Sequence, residues 1–417
     1  MKKLIMGFCI GIIVSGCHFN NPDAVQKQDS APRDESRENS PIQNTDSQIE
    51  PYIAEDPGIW LYPARAQDEE LWGFIDSKGM WVIEPRYSSA SEFKNGIAFV
   101  CEGEDESEIL IDKQGTHLFK IPEDMERGYS TFSDNLLCVS ICNRISARYG
   151  YIDAKGNWII EPRFTHANSF YEGLAVVQTI SYNEEWDIWV PRSDYGYIDT
   201  MGNWVIRPTP LSTGSNFSCG LAVAKQDGKY GYIDRNMNWV IPPKFSEADS
   251  FCAGYAVARE NGLNGVIDMK GEWVIEPSFE GSLYFTEEDI AHGVIGAEKI
   301  FAMQNNGYYY GGLIDLSGNW VVDPIFQDGL NFSGGLSFAR YRVNEDDDSN
   351  AYLNGYVDIN GNWAFEPRSS LAPNQFKGDL ARASDIPPSL PRGEEYIEGY
   401  IDKTGNYVYS WKEKKDW

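Results

Sequence analysis

The fold of this chain is decided by a stretch that runs from residue 149 to residue 177, YGYIDAKGNWIIEPRFTHANSFYEGLAVV. Aromatic and β-branched residues before Asp153 and from Trp158 onward predict two short strands. The Asp-x-x-Gly between them predicts a tight turn, since Asp153 can accept from backbone amides and Gly156 can adopt a left-handed conformation. Leu174 and the residues after it predict a third strand.

The same pattern recurs nine times along the chain. The turn aspartates are Asp76, Asp112, Asp153, Asp199, Asp234, Asp268, Asp315, Asp358 and Asp402. They span 326 residues in eight gaps, about 41 residues each. In seven units a tryptophan follows the aspartate by five positions and a proline follows it by nine. Repetition at this period is typical of an array in which each unit hides its apolar face against its neighbours.

Each unit is predicted to be a three-stranded antiparallel meander, so the fold class is all-β. We expect the proline to end the second strand, because proline cannot donate to a ladder. A fourth short strand around the aromatic two residues past the proline is an option. Buried indoles remove on the order of 200 Å² each from water, so the repeated tryptophans are predicted to form the core.

The overall arrangement of the nine units has two alternatives. Uneven gaps, nine units and a degraded second and last unit favour an open, curved, solenoid-like array. A period near 40 residues with antiparallel strands suits a closed, propeller-like ring. We expect the open array. In the fifth unit Met237 occupies the turn position that glycine holds in the other eight, and we expect altered turn geometry there.

The units resemble the WG-repeat family of bacterial proteins. Residues 72–76 (WGFID) match the family name literally, and Tyr149-Gly150, Tyr195-Gly196 and Tyr230-Gly231 keep an aromatic before the glycine. The resemblance covers about residues 72 to 411. It implies a tandem β-repeat protein, often exported, of largely unassigned function, and it supplies no catalytic residues.

The N-terminus reads as a targeting segment. Lys2 and Lys3 precede an apolar stretch from Leu4 to Val14, which is too short to span a bilayer. The residues that follow, Ser15-Gly16-Cys17, complete a resemblance to the lipobox of bacterial lipoproteins. That resemblance implies a signal peptide at 1–16, cleavage and acylation at Cys17, and an exported protein anchored on the extracytoplasmic side. A secreted protein cut elsewhere and a short N-terminal membrane helix are the alternatives.

The composition of the chain indicates where its domains begin and which classes of partner it disfavours. Residues 17–58 are polar and predict a disordered tether, so the repeat domain is expected at 59–417. Lys and Arg number 35 against 63 Asp and Glu, a net charge of -28 that disfavours nucleic acid and assigns membrane attachment to the lipid. The four histidines are scattered, so no metal or other cofactor is expected. Cys138 and Cys142 share a strand face, which leaves their pairing open.

Partner-binding residues are sought in the insertions between units, because binding residues concentrate in loops. The longest insertions are residues 179–194, 281–310, 341–353 and 385–397. The candidates are Trp186, Trp189, Tyr308, Tyr309 and Tyr310, which can stack on sugar rings or anchor a protein. The alternative is that these aromatic side chains merely cover the sheet edge beneath them.

The sequence therefore predicts a monomeric, non-enzymatic binding or scaffolding protein of the cell envelope, whose partner is an unidentified envelope protein or glycan. One rival is a glycan hydrolase that uses insertion carboxylates such as Glu184, Glu185 or Asp187. Another rival is a passive surface spacer.

Overall fold

The computed structural model describes residues 60–415, except 68–69, 104, 129, 143–146, 184–187, 192–193, 211–212, 302–307, 328 and 344–351. The predicted signal peptide, Cys17 and the predicted tether lie outside the described residues. The described part is all-β with one short helix, Glu287–Ala291. None of its helices is long and apolar enough to cross a membrane.

The strands form nine consecutive antiparallel sheets, which we call blades 1 to 9. Blade 1 contains Tyr62–Arg65, Trp72–Ile75 and Trp81–Tyr87; blade 2, Ser89–Ala90, Ala98–Glu102, Asp105–Ile111 and His117–Lys120; blade 3, Met125–Glu126, Leu137–Cys142, Ala147–Ile152 and Trp158–Phe164; blade 4, His166–Ala167, Leu174–Gln178, Tyr195–Asp199 and Trp204–Thr209; blade 5, Ala222–Gln226, Lys229–Ile233 and Trp239–Phe245; blade 6, Glu247–Ala248, Tyr255–Glu260, Leu263–Asp268 and Trp273–Phe279; blade 7, Leu283–Tyr284, Val294–Phe301, Tyr308–Asp315 and Trp320–Phe326; blade 8, Phe332–Ser333, Leu336–Arg342 and Tyr352–Val357; blade 9, Leu371–Lys377, Leu380–Asp385, Glu395–Ile401 and Tyr407–Lys414. A two-stranded hairpin, Ile180–Asn183 with Ile188–Pro191, extends from blade 4. Blades 7 and 8 are joined through the pair Phe326↔Tyr341.

The predicted all-β array of antiparallel repeats is confirmed, with two corrections inside the unit. The proline does not end its strand, because Pro162 lies within Trp158–Phe164. The short extra strand follows the aromatic residue after the proline, as His166–Ala167 follows Phe164, and it begins the next blade.

A bulge explains how proline is tolerated and why glycine recurs. In blade 3, Tyr151 pairs with Ile160 and Tyr149 pairs with Phe164, so Gly150 alone faces the three residues around Pro162. The proline strand is an edge strand, where a missing N–H costs little. A Cβ on Gly150 would lie 2.5 Å from the carbonyl oxygen of Ile160 and 2.8 Å from Cζ3 of Trp158. The glycine and the tryptophan of the repeat therefore pack on one another at the bulge.

The Asp-x-x-Gly turns form as predicted. Oδ1 of Asp153 accepts from the backbone N–H groups of Lys155 and Asn157, each at 2.8 Å, and Gly156 has φ 82°. The expectation of altered geometry at Met237 is wrong. Met237 adopts φ 66°, and its turn keeps the same hydrogen bonds to Asp234. The turn hydrogen bonds hold this residue in a left-handed conformation that L side chains ordinarily avoid.

Nine apolar cores separate the blades within the described residues. Eight lie between blades that are consecutive in the chain. The ninth joins Tyr62 and Ile75 of blade 1 to Leu380, Tyr400 and Trp411 of blade 9. Nine sheets in an open array have only eight interfaces, so the ninth core closes the ring. The closed, propeller-like ring, and not the open array that the sequence favoured, describes this chain.

The repeated tryptophans close the rims of these cores and are only partly buried. Trp204 meets Phe164 of the preceding blade edge to face, with ring centroids 6.1 Å apart, and Trp273 meets Phe245 at 5.4 Å. Trp81 of blade 1 makes the same contact with Tyr409 of blade 9 at 5.2 Å. The tryptophans predicted to form the core thus pack against it while remaining partly exposed, and they bridge neighbouring blades.

Candidate functional site

The two ends of the blades differ in what they carry. One end holds the Asp-x-x-Gly turns and, in several blades, a Phe-x-x-Gly turn or a close variant of it; we call this end the turn face. Turns of neighbouring blades are bonded there: Ser133 Oγ donates to the Phe170 carbonyl at 2.5 Å, and Ser218 Oγ to that of Phe251 at 2.6 Å. Asp134 accepts from the Gly173 N–H at 2.9 Å. These hydrogen bonds join neighbouring blades at the turn face.

The opposite end of the blades, which we call the loop face, carries the insertions. In each blade the connection that leads into the strand before the turn aspartate leaves from this end. The insertions at 179–194, 341–353 and 385–397 are all such connections, in blades 4, 8 and 9. The insertion at 281–310 is divided: its helix stands before the second strand of blade 7, and its hairpin tip lies on the loop face.

The aromatic candidates belong to two of these loop-face hairpins. Trp186 lies outside the described residues, and so do Glu184, Glu185 and Asp187. Trp189 lies on Ile188–Pro191, in register with Tyr182, and its side chain is outside the description. The backbone of Tyr308 pairs with Phe301, at the tip of the blade 7 hairpin. Tyr309 is 52% exposed and Tyr310 is half-buried. The structure thus brings the backbones of Trp189, Tyr308, Tyr309 and Tyr310 to one face, on blades 4 and 7.

The helix Glu287–Ala291 contains an acidic pair that the sequence analysis did not single out. Asp289 is fully buried; its carboxylate accepts from the Phe332 N–H at 2.9 Å and from the backbone N–H of Thr286 at 2.6 Å. Burial raises the pKa of Asp289. Glu288 accepts from the N–H groups of Gly334 at 2.9 Å and Gly335 at 2.6 Å. Both carboxylates therefore accept hydrogen bonds that join blade 7 to blade 8.

A cavity of about 480 Å³ lies where blade 9 meets blade 1, and we call it the seam cavity. Its walls include Trp60, Tyr62, Glu92, Lys377, Arg382 and Tyr400. Within the described residues, blade 1 has neither the short first strand nor the phenylalanine-containing turn that precede the second strand in blades 2, 3, 4 and 6. Sequence reasoning missed this site because it depends on ring closure.

Charges around the seam cavity are paired. Lys377 forms an ion pair with Glu92, and Arg382 Nε donates to Glu398 at 2.6 Å. The guanidinium of Arg382 also stands 5.4 Å from the ring centroid of Trp72. Burial raises the pKa of Tyr400, whose hydroxyl donates to the Pro63 carbonyl. The cavity therefore offers aromatic surface and hydrogen-bonding groups with balanced charge.

Other reactive groups are absent from the described part of the chain or are structural in it. No group of three or more His, Cys, Asp or Glu side chains there can hold a metal ion. Cys138 is a free, buried thiol, and burial raises its pKa to about 12. Amide donors from Asn238 hold the pKa of Asp234 below its usual value, as expected for a carboxylate that closes a turn.

The repeat units are similar to a known family of repeats. The family model for the WG containing repeat matches residues 72–104, 149–179, 195–230, 230–263, 265–291 and 312–345. Six of the nine repeat units are thus similar to the WG containing repeat over these residues. In the structure a WG repeat begins with the strand before the turn aspartate and runs through the tryptophan strand into the next blade. The glycine of its name is the bulge glycine described above.

No curated protein matches this chain. It is similar to a solved structure described as a eukaryotic initiation factor, with 9% identity, 74% of this chain and 94% of that chain covered, and a TM-score of 0.43. It is also similar to apo AztD from Citrobacter koseri, with 11% identity, coverages of 85% and 94%, and a TM-score of 0.34. It is similar as well to TolB from Acinetobacter baumannii, with 12% identity, 65% of this chain and 76% of that chain covered, and a TM-score of 0.26. All three TM-scores are below 0.5, so the fold rests on this chain's own contacts.

Proposed function

We propose that this WG-repeat protein is a lipid-anchored binding or scaffolding protein on the extracytoplasmic side of the cell envelope, without catalytic activity. The stretch ending Ser15-Gly16-Cys17 supports export and acylation, and the polar residues 17–58 provide a spacer between anchor and ring. Its proposed partner is a glycan or a protein of the envelope, since a tethered ring meets both.

The binding role is supported by a difference between the turn face and the loop face of the ring. The turn face is occupied by bonds between blades, whereas the hairpins of blades 4 and 7 extend the loop face outward. One of these hairpins presents Tyr309, and exposed aromatic side chains are favoured contacts at interfaces. A surface that varies between repeats, on a rigid closed ring, is suited to recognition.

Two alternative functions can be distinguished from binding by experiment. The glycan hydrolase requires two carboxylates, from Glu184, Glu185 and Asp187, about 5 to 10 Å apart across a groove. A passive spacer requires no recognition residues at all. Substituting the loop-face aromatic residues distinguishes a binding protein from a passive spacer, because only a binding protein would lose its partner. Comparing glycan hydrolysis by the native chain and by Glu184→Gln distinguishes a binding protein from a hydrolase, because only a hydrolase would show activity that the variant loses.

Anchoring is tested with Cys17→Ser in the full chain. We expect the native chain to fractionate with bacterial membranes and to incorporate labelled palmitate, and the variant to do neither. Incorporation of palmitate by the variant, or soluble native chain, would contradict the anchor.

Binding is tested by retention of envelope components on the immobilised chain. Trp186→Ala combined with Tyr309→Ala should abolish retention. Tyr171→Ala is the matched control, because Tyr171 is 55% exposed but lies in a turn of the turn face. Equal retention by all three proteins would favour the passive spacer.

A further inference from the structure

The seam between blades 9 and 1 differs from four other seams in one aromatic contact. At those four seams a buried tyrosine two residues before the turn aspartate packs on a phenylalanine at the turn in the next blade. Tyr151 packs on Phe170 at 4.7 Å between ring centroids, and Tyr232 on Phe251 at 4.6 Å. Tyr400 holds the same position in blade 9, but its neighbour is Tyr62, at 5.2 Å. Within the described residues no phenylalanine turn precedes blade 1, and the seam cavity lies beside Tyr400.

The cavity has a partly exposed indole in its wall. Trp60 is 49% exposed, although it is a large apolar side chain. It lies against Gly378, where a Cβ would come within 2.5 Å of the indole Cδ1. The glycine thus gives the indole close backbone support and leaves about half of its surface free for a ligand.

The polar groups of the wall suit an uncharged ligand. Lys377 and Arg382 are the cavity's cations, and each is already paired with a carboxylate. An anion would have to break these pairs and approach a protein of charge -28. Asn374 and Gln375 also line the cavity, and both are exposed side chains with amide donors and acceptors.

We propose that the seam cavity binds an uncharged sugar ring, with Trp60 as the stacking platform and Gln375 as a hydrogen-bonding group. A volume of about 480 Å³ is large enough for a sugar unit and is typical of small-ligand sites. Aromatic faces pack on the C–H faces of sugars, and amides bond their hydroxyls. This inference rests on the proposed function, since it names a glycan as one envelope ligand, but it places that ligand on the opposite face from Tyr309.

The test is calorimetric titration of the purified chain with two probes: chitotetraose, which is uncharged, and tetragalacturonate, which is anionic. We expect saturable binding of chitotetraose and at least tenfold weaker binding of tetragalacturonate. Trp60→Ala should weaken chitotetraose binding at least tenfold, and Trp60→Phe should restore most of it. Gln375→Trp should block binding by filling the cavity from an exposed position, which keeps the test independent of folding defects.

Tyr309→Ala is the matched control, and it should bind chitotetraose as the native chain does. No binding of chitotetraose, tighter binding of tetragalacturonate, or unchanged binding by both Trp60→Ala and Gln375→Trp would overturn the seam site. Envelope retention that still depends on Trp186 and Tyr309 would then leave the proposed function standing. Loss of that dependence with chitotetraose binding intact would instead remove the loop-face role alone.

Discussion

The hydroxyl of Tyr400 donates a buried hydrogen bond of 2.9 Å to the carbonyl oxygen of Pro63, 337 residues earlier in the chain. Tyr232, at the same position in blade 5, donates at 2.7 Å to the carbonyl of Asp249, only 17 residues later. The two bonds are structurally alike, although one joins consecutive segments and the other joins the two ends of the domain. The seam between blades 9 and 1 is therefore bridged by a tyrosine hydroxyl, as the seam between blades 5 and 6 is.

Removing these hydroxyls tests the seam against an internal control. Tyr400→Phe should lower the free energy of unfolding by about 1 to 2 kcal/mol, because a hydrogen bond is lost and a buried carbonyl loses its donor. Tyr232→Phe should have a similar cost. Urea unfolding followed by circular dichroism measures both. A clear loss for Tyr232→Phe with none for Tyr400→Phe would mean that the seam is open in solution.

The bulge glycine should tolerate no side chain. In Gly150→Ala the new Cβ would meet the backbone oxygen of Ile160 at 2.5 Å, so we expect a loss of about 3 kcal/mol. Gly173→Ala is the control: its Cβ meets nothing within 4 Å, and only its φ of 76° is unfavourable, at about 1 kcal/mol. Thermal melts should rank the two in that order. The reverse ranking would contradict the bulge packing.

The turn carboxylates should make the ring sensitive to acid. The Asn319 N–H, followed by its side-chain amide, lowers the pKa of Asp315, and Asn238 does the same for Asp234. A carboxyl whose folded pKa is depressed contributes stability above its unfolded pKa and loses it as pH falls, so stability should drop below about pH 4.

Asparagine at both turns should make that drop shallower, because its side-chain oxygen still accepts but does not titrate. The measurement is the urea midpoint from pH 6 downward for Asp234→Asn/Asp315→Asn. The control is Glu84→Gln/Glu276→Gln, which changes two exposed carboxylates outside the turns. An acid slope that the turn variant leaves unchanged would contradict the assignment.

The buried thiol of Cys138 should resist alkylation. Its pKa, raised to about 12 by burial, leaves almost no thiolate at pH 8. Iodoacetamide followed by peptide mass spectrometry should label the partly exposed Cys219 first and Cys138 only in denaturant. Labelling of both at equal rates in the native chain would show that blade 3 opens readily.

Much of the blade was predictable from local sequence. Asp153 and Gly156 specify the turn because their side-chain chemistry and backbone freedom act within five residues. The Pro162 error has a local cause too: proline is excluded from central strands, but the bulge opposite Gly150 and an edge position remove that penalty.

Ring closure was not predictable, because it depends on how small rotations between sheets add up around nine blades. The uneven gaps that favoured an open array are insertions outside the sheets, such as the hairpin after Gln178, and they leave the interfaces unchanged. The seam cavity was hidden for the same reason, since Trp60 and Lys377 are 317 positions apart in sequence. Trp186 and Tyr309 were found as candidates because they interrupt the repeat pattern.

Closure of the ring is tested most directly by the distance between its two ends. That distance is measured by pulsed electron paramagnetic resonance between spin labels at positions Gln67 and Lys412. The native cysteines of the labelled chain are replaced by alanine. Gln67 donates to the Ser410 carbonyl at 3.2 Å, so the account predicts one narrow population within about 25 Å, allowing for the label arms. Nine sheets stacked about 10 Å apart in an open array would place the labels roughly 80 Å apart. A broad distribution at such long distances would contradict the closed ring.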